Sequence, residues 1–385
     1  MNASRSVVEA LLACIALPSP TPPGEVGLVA DWVEAWAKSF HAKVVRQEVE
    51  AGKDNLLITL DFGTGPMLVF NTHMDVNNPE GQTWNYPPFS PIIDGERIYG
   101  LGACDAKGSL VSMLCAMERL AARPEGLRGK LTLTAVMGEE AGGIGSLFLV
   151  NQGIQADGAV VGEPTQLEVA IAHKGTYMRR LRFHGKAAHS GSPHLGNNAI
   201  HHAAAFCMEY EALSHRLAEY IHPQLGPANA AVTIIQGGTR QNTIPGQAEV
   251  IIDRRLIPGE THEKADRELQ QILERLQEKR TDFQVSDMEV IVATIPSETN
   301  QTEKIVTTAL EATSHVLQER RTAKGFSAGC DMSKLVTIAG IPTVILGPGS
   351  LMQAHAPDEY VEIVQLEQAV DIYEQIARRF LKEGA

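Results

Sequence analysis

The chain has no block of lysine or arginine. Its 33 basic residues are dispersed among 46 acidic ones, giving a formal net charge of −13 at pH 7. Neutralising phosphates requires clustered cations, so nucleic acid is disfavoured as a partner. No stretch approaches about 20 uninterrupted apolar residues, so no membrane-spanning helix is expected. Cysteine is sparse: Cys14, Cys104, Cys115, Cys207 and Cys330 are odd in number, scattered and free of CxxC spacing. That usage points to free thiols in a reduced, cytoplasmic protein. Cys104 and Cys330, beside Asp105 and Asp331, read as small buried hydrophobes. Internal repeats and low-complexity linkers are absent too. After Arg5 the stretch VVEALLACIAL loosely imitates a secretion signal, but Glu9 interrupts it and no small-x-small cleavage site follows. Val7, Val8, Leu11, Leu12 and Ile15 fall at helical spacing and predict a first amphipathic helix.

What is present describes a folded globular chain of two domains. A length of 385 residues exceeds one ordinary domain, and 44% hydrophobic residues with 34 Gly and 20 Pro suit a loop-rich globular chain. Over 1–173, strand-like runs (VVRQEV, NLLITLD, MLVFNTH, KLTLTAVM, GAVVGEP) interleave with helical periodicity at 27–40, 109–121 and 145–151. This alternation predicts an α/β domain with a largely parallel, buried sheet. Over 174–291 the order becomes strand, long helix, two strands, helix, strand. That is a split βαβ, ferredoxin-like α+β domain of four antiparallel strands with two helices on one face. From 292 to 385 the α/β pattern resumes, so the smaller domain is read as inserted into the larger.

The chemistry-bearing residues lie at the ends of apolar runs or in Gly-rich turns, where parallel strands expose functional side chains. In FNTHMDV, His73 and Asp75 are two apart, and strand alternation would let Asp75 hold the His73 ring and fix its tautomer. Asp105, in YGLGACDAKG, is either a carboxylate bridging two cations or the N-cap of the following helix. Glu139 and Glu140 follow a buried strand; two carboxylates kept charged near a core suggest a nearby cation, and the alternative, commoner for an isolated pair, is an exposed turn with two solvated charges. Glu163 in VVGEP and His355 in QAHAPDE complete the set. Two cations with carboxylate and imidazole ligands, one bridging Asp and a spare Glu form a hydrolytic site.

The stretches HMDV, YGLGACDAKG, GEEAGG, GEPT, HGKAAHSGSPHLGNNAI, NTIPG, DRRLIPGE and AHAPDE run in order from residue 73 to residue 359. On these the chain resembles the dinuclear zinc deacylase/peptidase family of acetylornithine deacetylase, succinyl-diaminopimelate desuccinylase, aminoacylase and carboxypeptidase G. The resemblance implies that His73, Asp105 and Glu163 hold one metal and Asp105, Glu140 and His355 the other. Zinc is the expected occupant, with Co or Mn suited to the same donors. It implies that Glu139 is the general base, that Asp75 orients His73, and that the peptide bond after Asp105 is cis.

The inserted domain resembles the family's lid and dimerisation domain. His189 matches the histidine that reaches a neighbouring subunit's site in a homodimer, and Asn242 and Arg255 match substrate contacts. Arg254, the neighbour of Arg255, should lie on the opposite face of its strand. In the loop SAGCDMSK, Gly329 and Asp331 fit the family's substrate-lining pattern, while Cys330 replaces a hydroxyl residue. The expected function is metal-dependent hydrolysis of an N-acyl amino acid, acetylornithine-deacetylase-like. A dipeptidase or acylglutamate-type carboxypeptidase with the same site is the alternative, because the scissile bond is the same.

Overall fold

The computed structural model describes residues 6–382, save the side chain of Asp287; Arg5, at the head of the signal-like stretch, lies outside them. Two compact units are distinguished: Met1–Ala172 with Glu298–Phe326 and Cys330–Ala385, and His173–Ser297 with Ser327–Gly329.

The first unit is built on a nine-stranded sheet. Strands Lys130–Val136, Met67–His73, Gly158–Val161 and Thr343–Ile345 lie side by side and run parallel. The sheet is mixed rather than uniformly parallel. The hairpin of Lys43–Glu50 and Lys53–Asp61 adds one antiparallel flank, and Ala170–His173 pairs antiparallel with Thr343–Ile345. Hairpin flanks are invisible to an argument from helix–strand alternation, which detects only crossovers.

Helices Val7–Ile15, Gly27–Ser39, Lys107–Ala122, Lys304–Leu317 and Ile363–Phe380 supply the apolar core around this sheet, with Leu11, Val33, Leu114, Val306 and Tyr373 all buried. The helix Lys107–Ala122 is buried over most of its length. Its second residue must be glycine, since a Cβ on Gly108 would stand 2.4 Å from the Ala103 carbonyl. That contact draws the helix start against the loop carrying Asp105.

The second unit is a four-stranded antiparallel sheet in the order Asn229–Gly237, Gln247–Leu256, Gly175–His184, Gln284–Ala293. Burial alternates along Gln247–Leu256, the pattern of a sheet covered on one face. Leu181, Phe183, Val250 and Ile252 pack with Phe206, Tyr210 and Leu213 of helix Ala199–Leu217 and Leu269, Ile272 and Leu276 of helix His262–Lys279. Asn198 and Thr261 cap the two helices through side-chain oxygens. Among the described residues no helix is long and apolar enough to cross a membrane.

Candidate metal centre

Three neighbouring parallel strands deliver the centre at their carboxyl ends. His73 is the last residue of its strand and pairs in register with Val136, so Glu139 and Glu140 follow directly beside it. Glu163 follows the strand Gly158–Val161 on the other side. Such a crevice outside strand ends is where open α/β sheets bind ligands. Asp105 precedes the helix Lys107–Ala122, and the Asp105–Ala106 peptide is cis. The N-cap position is Ala106, without a side-chain cap bond. The Asp105 carboxylate is therefore not spent on capping.

It is shared instead between two imidazoles. Asp105 Oδ1 lies 3.1 Å from His73 Nε2, and Oδ2 lies 3.4 Å from His355 Nε2. His355 Nε2 also stands 3.0 Å from Glu140 Oε2, and His73 Nε2 4.0 Å from Glu163 Oε1. The ligand atoms of His73, Asp105 and Glu163 lie within 4.8 Å of one another, as do those of Asp105, Glu140 and His355. Glu140 Oε1 is buried and has no hydrogen-bond partner. An orphaned carboxylate oxygen beside a shared carboxylate and two imidazole nitrogens fits a pair of divalent cations.

The supports beneath these groups differ in one respect from strand alternation. The strand ends at His73, and His73 Nδ1 donates to the backbone carbonyl of Asp75 at 2.8 Å, whereas the Asp75 carboxylate is 3.7 Å away. That bond still fixes the tautomer and leaves Nε2 free as a ligand. The Asp75 carboxylate, fully buried, accepts from the amides of Glu139 and Glu140 at 3.2 Å each and from the Thr21 hydroxyl at 3.0 Å.

A second buried carboxylate went unnoticed in the sequence. Glu359, 1% exposed, accepts from the amides of Gly102 (3.1 Å), Cys104 (2.8 Å) and Asp105 (3.0 Å). It lies four residues after His355, so one side chain ties the His355 loop to the Asp105 loop. Its amide partners are more than 250 residues away in sequence, so no local pattern marked it.

The charges strain against one another. Burial raises the Glu139 carboxyl to about 8, and burial also raises Glu140 and, strongly, Glu163. Burial pulls His73 down, but Asp105, Glu163 and Glu139 outweigh it and leave the imidazole well above its ordinary value. Contacts with Asp105 and Glu140 lift His355 to about 11. Asp105 falls below the usual carboxylate range, because the two imidazoles overcome its burial. Glu359 is raised by burial to about 7. Carboxylates outnumber imidazoles here, and a cation would relieve the excess.

The family model described as peptidase family M20/M25/M40 matches residues 69–379. The chain belongs to this family. It is accordingly a metallohydrolase of linear amide or peptide bonds. An acetylornithine deacetylase of Aliivibrio salmonicida is 30% identical over 346 residues, covering 89% of this chain and 88% of that one. The fold is similar to that of the aminopeptidase PepT from Bacillus cereus, with a TM-score of 0.83, 21% identity and 99% of each chain covered. It is also similar to that of a Bacillus subtilis dinuclear metal-binding M20 peptidase, with a TM-score of 0.74, 16% identity and 97% of each chain covered.

The remaining candidates of this M20 chain lie in the second unit. His189 is exposed, and its strand Ala188–His189 pairs with Thr243–Ile244. Asn242 lies alongside, its carbonyl accepting from the Ser190 amide at 2.9 Å. The Gly191 amide donates to His189 Nδ1 at 3.0 Å, which places the proton of the neutral ring on Nε2. Arg254 and Arg255 face opposite ways. Arg254 is buried against Glu260 at 2.6 Å, while Arg255 is partly exposed and meets Asp253 (2.9 Å) and the Thr176 hydroxyl (2.9 Å). Thr176 in turn bonds Thr294 Oγ1, the atom that a Cβ on Gly329 would approach at 3.2 Å, so Arg255 and Gly329 share one corner of this unit. Arg255 already has an internal carboxylate partner, Asp253, two residues earlier on the same face of its strand.

Proposed function

We propose that this M20 enzyme removes the acyl group from an N-acyl amino acid, in the manner of an acetylornithine deacetylase. The observation that carries the reading is one carboxylate, Asp105, whose two oxygens face the imidazoles of two candidate ligand sets. The similarity to a deacetylase over nearly the full chain supports the acyl amino acid class. His73, Asp105 and Glu163 would hold one divalent cation and Asp105, Glu140 and His355 the other, with zinc expected and Co or Mn suited to the same donors. Such ions supply Lewis-acid polarisation of the scissile carbonyl and acidify a water.

Glu139 takes the proton of the attacking water on its carboxylate and returns it to the leaving amine nitrogen. A carboxyl that burial lifts toward neutrality is suited to both transfers. Asp75 holds the turn that presents Glu139 and Glu140, and its carbonyl orients His73. In a homodimer formed through the second unit, His189 would donate from Nε2 to the oxyanion in the neighbouring subunit's site. Asn242, Arg255 and Gly329 would contact substrate, Arg255 through its fork to a carboxylate. The five free cysteines suit a reducing cytoplasm.

The test is hydrolysis, with cations supplied, of N-acetylornithine, N-acetylmethionine, N-succinyl-diaminopimelate, an acylglutamate and several dipeptides. Glu139→Ala and a chelated sample run beside it. Turnover of an acyl amino acid that both controls abolish is expected. Preference for dipeptides would move the enzyme to the peptidase branch, and full activity of Glu139→Ala would remove the base from the mechanism.

A further inference from the structure

One ion pair near the centre is not used by the ligand scheme. Lys334, in the short helical turn Lys334–Ile338, is largely buried with a side chain 12% exposed, and its Nζ lies 3.0 Å from Asp331 Oδ1. Asp331 is itself fixed, since Ser146 donates to its Oδ2 at 2.6 Å, and Ser146 accepts from Asn71 of the strand ending at His73. The pair is pressed against Gly143. A Cβ there would stand 2.3 Å from both Asp331 Oδ1 and Lys334 Nζ, and φ is +75°. Gly143 closes the turn that begins at Glu139, its amide donating to the carbonyls of Gly138 (2.9 Å) and Glu139 (3.1 Å). The turn that begins at Glu139 thus packs, at Gly143, against a buried ammonium.

We propose that Lys334 is a positioning residue for Glu139, its ammonium held by Asp331 and directing the neighbouring carboxylate toward the reacting water. The inference rests on Glu139 being the base. A carboxylate without a nearby cation would turn toward whichever ligand cation attracted it most and become an extra ligand. A fixed ammonium competes for it and keeps it in the position of a proton acceptor. Lys334 suits the task because Asp331 and Glu139 oppose the effect of burial and keep it protonated. A neutral side chain of equal length would fill the space and lose the attraction. That separates this role from packing.

The experiment compares Lys334→Met, Lys334→Gln and Lys334→Arg with the unaltered enzyme, all loaded with metal. Lys334→Met should lower kcat by about 10- to 100-fold, less than the complete loss of a general base, with KM and bound metal unchanged. Lys334→Arg, which keeps the charge, should recover most of that loss. Should Lys334→Met not accumulate folded, Lys334→Gln takes its place, since it can still donate to Asp331 but carries no charge. A neutral variant with kcat within about threefold of the unaltered enzyme, or one whose loss follows lost metal, overturns the proposal. So does failure of Lys334→Arg to surpass the neutral variants. Glu139→Ala distinguishes the two readings: if it is active, the base assignment falls first. If it is inactive while Lys334→Met turns over normally, only the role of Lys334 falls.

Discussion

The two candidate ligand sets share Asp105 but are built differently. In one, His73, Asp105 and Glu163 are all buried, and the His73 ring is locked through Nδ1 to the carbonyl of Asp75. In the other, His355 has a side chain 53% exposed and sits at φ +60° on a loop. A rigid, dry set pays little to organise around an ion, whereas a solvent-facing set must order its loop as it binds. The contrast teaches that two sites assembled from one bridging carboxylate need not be equivalent. The buried set should be the tighter of the two, and the open set the one that can rearrange.

The comparison can be broken most severely at its hinge. Asp105→Ala removes a ligand from both sets at once, so activity should fall by at least about 1,000-fold. Elemental analysis after dialysis should find less than one ion per chain. Retention of two ions would mean that the carboxylate does not bridge. Next in size, His73→Ala and His355→Ala should differ from each other. His355→Ala should keep one tightly bound ion, while His73→Ala should lose its tighter step, each read from the stepwise isotherm. Equal isotherms would show that burial does not rank the sites.

Glu359→Gln keeps the volume of a side chain that accepts three backbone amides but replaces one oxygen by a donor. It should weaken metal affinity about 10- to 100-fold, as loss of an outer hydrogen-bonding partner does. Unfolding of the chelated variant measured alongside shows whether the loss goes beyond a general destabilisation. The smallest effect is on stability against pH. Glu139 is raised by burial from its ordinary value of 4.5 to about 8, so among the protein's own charges the folded state binds its proton more tightly than the unfolded one does. Its contribution is therefore fully present below about pH 4.5 and is lost as pH rises through about 8. For the chelated enzyme this residue should lower the melting temperature between pH 5 and pH 8, and Glu139→Gln should flatten that slope. An unchanged slope would show that other groups govern it.

The positions of the candidate ligands His73, Glu140 and Glu163 were legible because each closely follows an apolar run, and parallel strands place such ends together. The contact of Asp75 was not, because alternation holds only while a strand continues, and this one stops at His73. The choice between cap and bridge at Asp105 was also undecided by sequence, since both occur just before a helix; it turned on the cap position falling at Ala106. Thr21 and Glu359 were hidden for a simpler reason. Their partners are an aspartate 54 residues away and amides more than 250 residues away, and no local pattern encodes such separations. The opposite facing of Arg254 and Arg255 was readable, for it depends only on the period of a strand that continues through both.

The position of the second unit within the chain has a consequence for how the centre comes into being. His73, Asp105 and Glu163 are all synthesised before His173 opens that unit, whereas His355, with Glu359 behind it, is synthesised only after the unit is complete. On a chain emerging from the ribosome, the buried ligand set is therefore assembled from early segments. The exposed set waits for a late one, and until then Asp105 has neither its second imidazole nor its anchor. The nascent chain should acquire its ions in sequence, the second arriving as one of the last events of maturation.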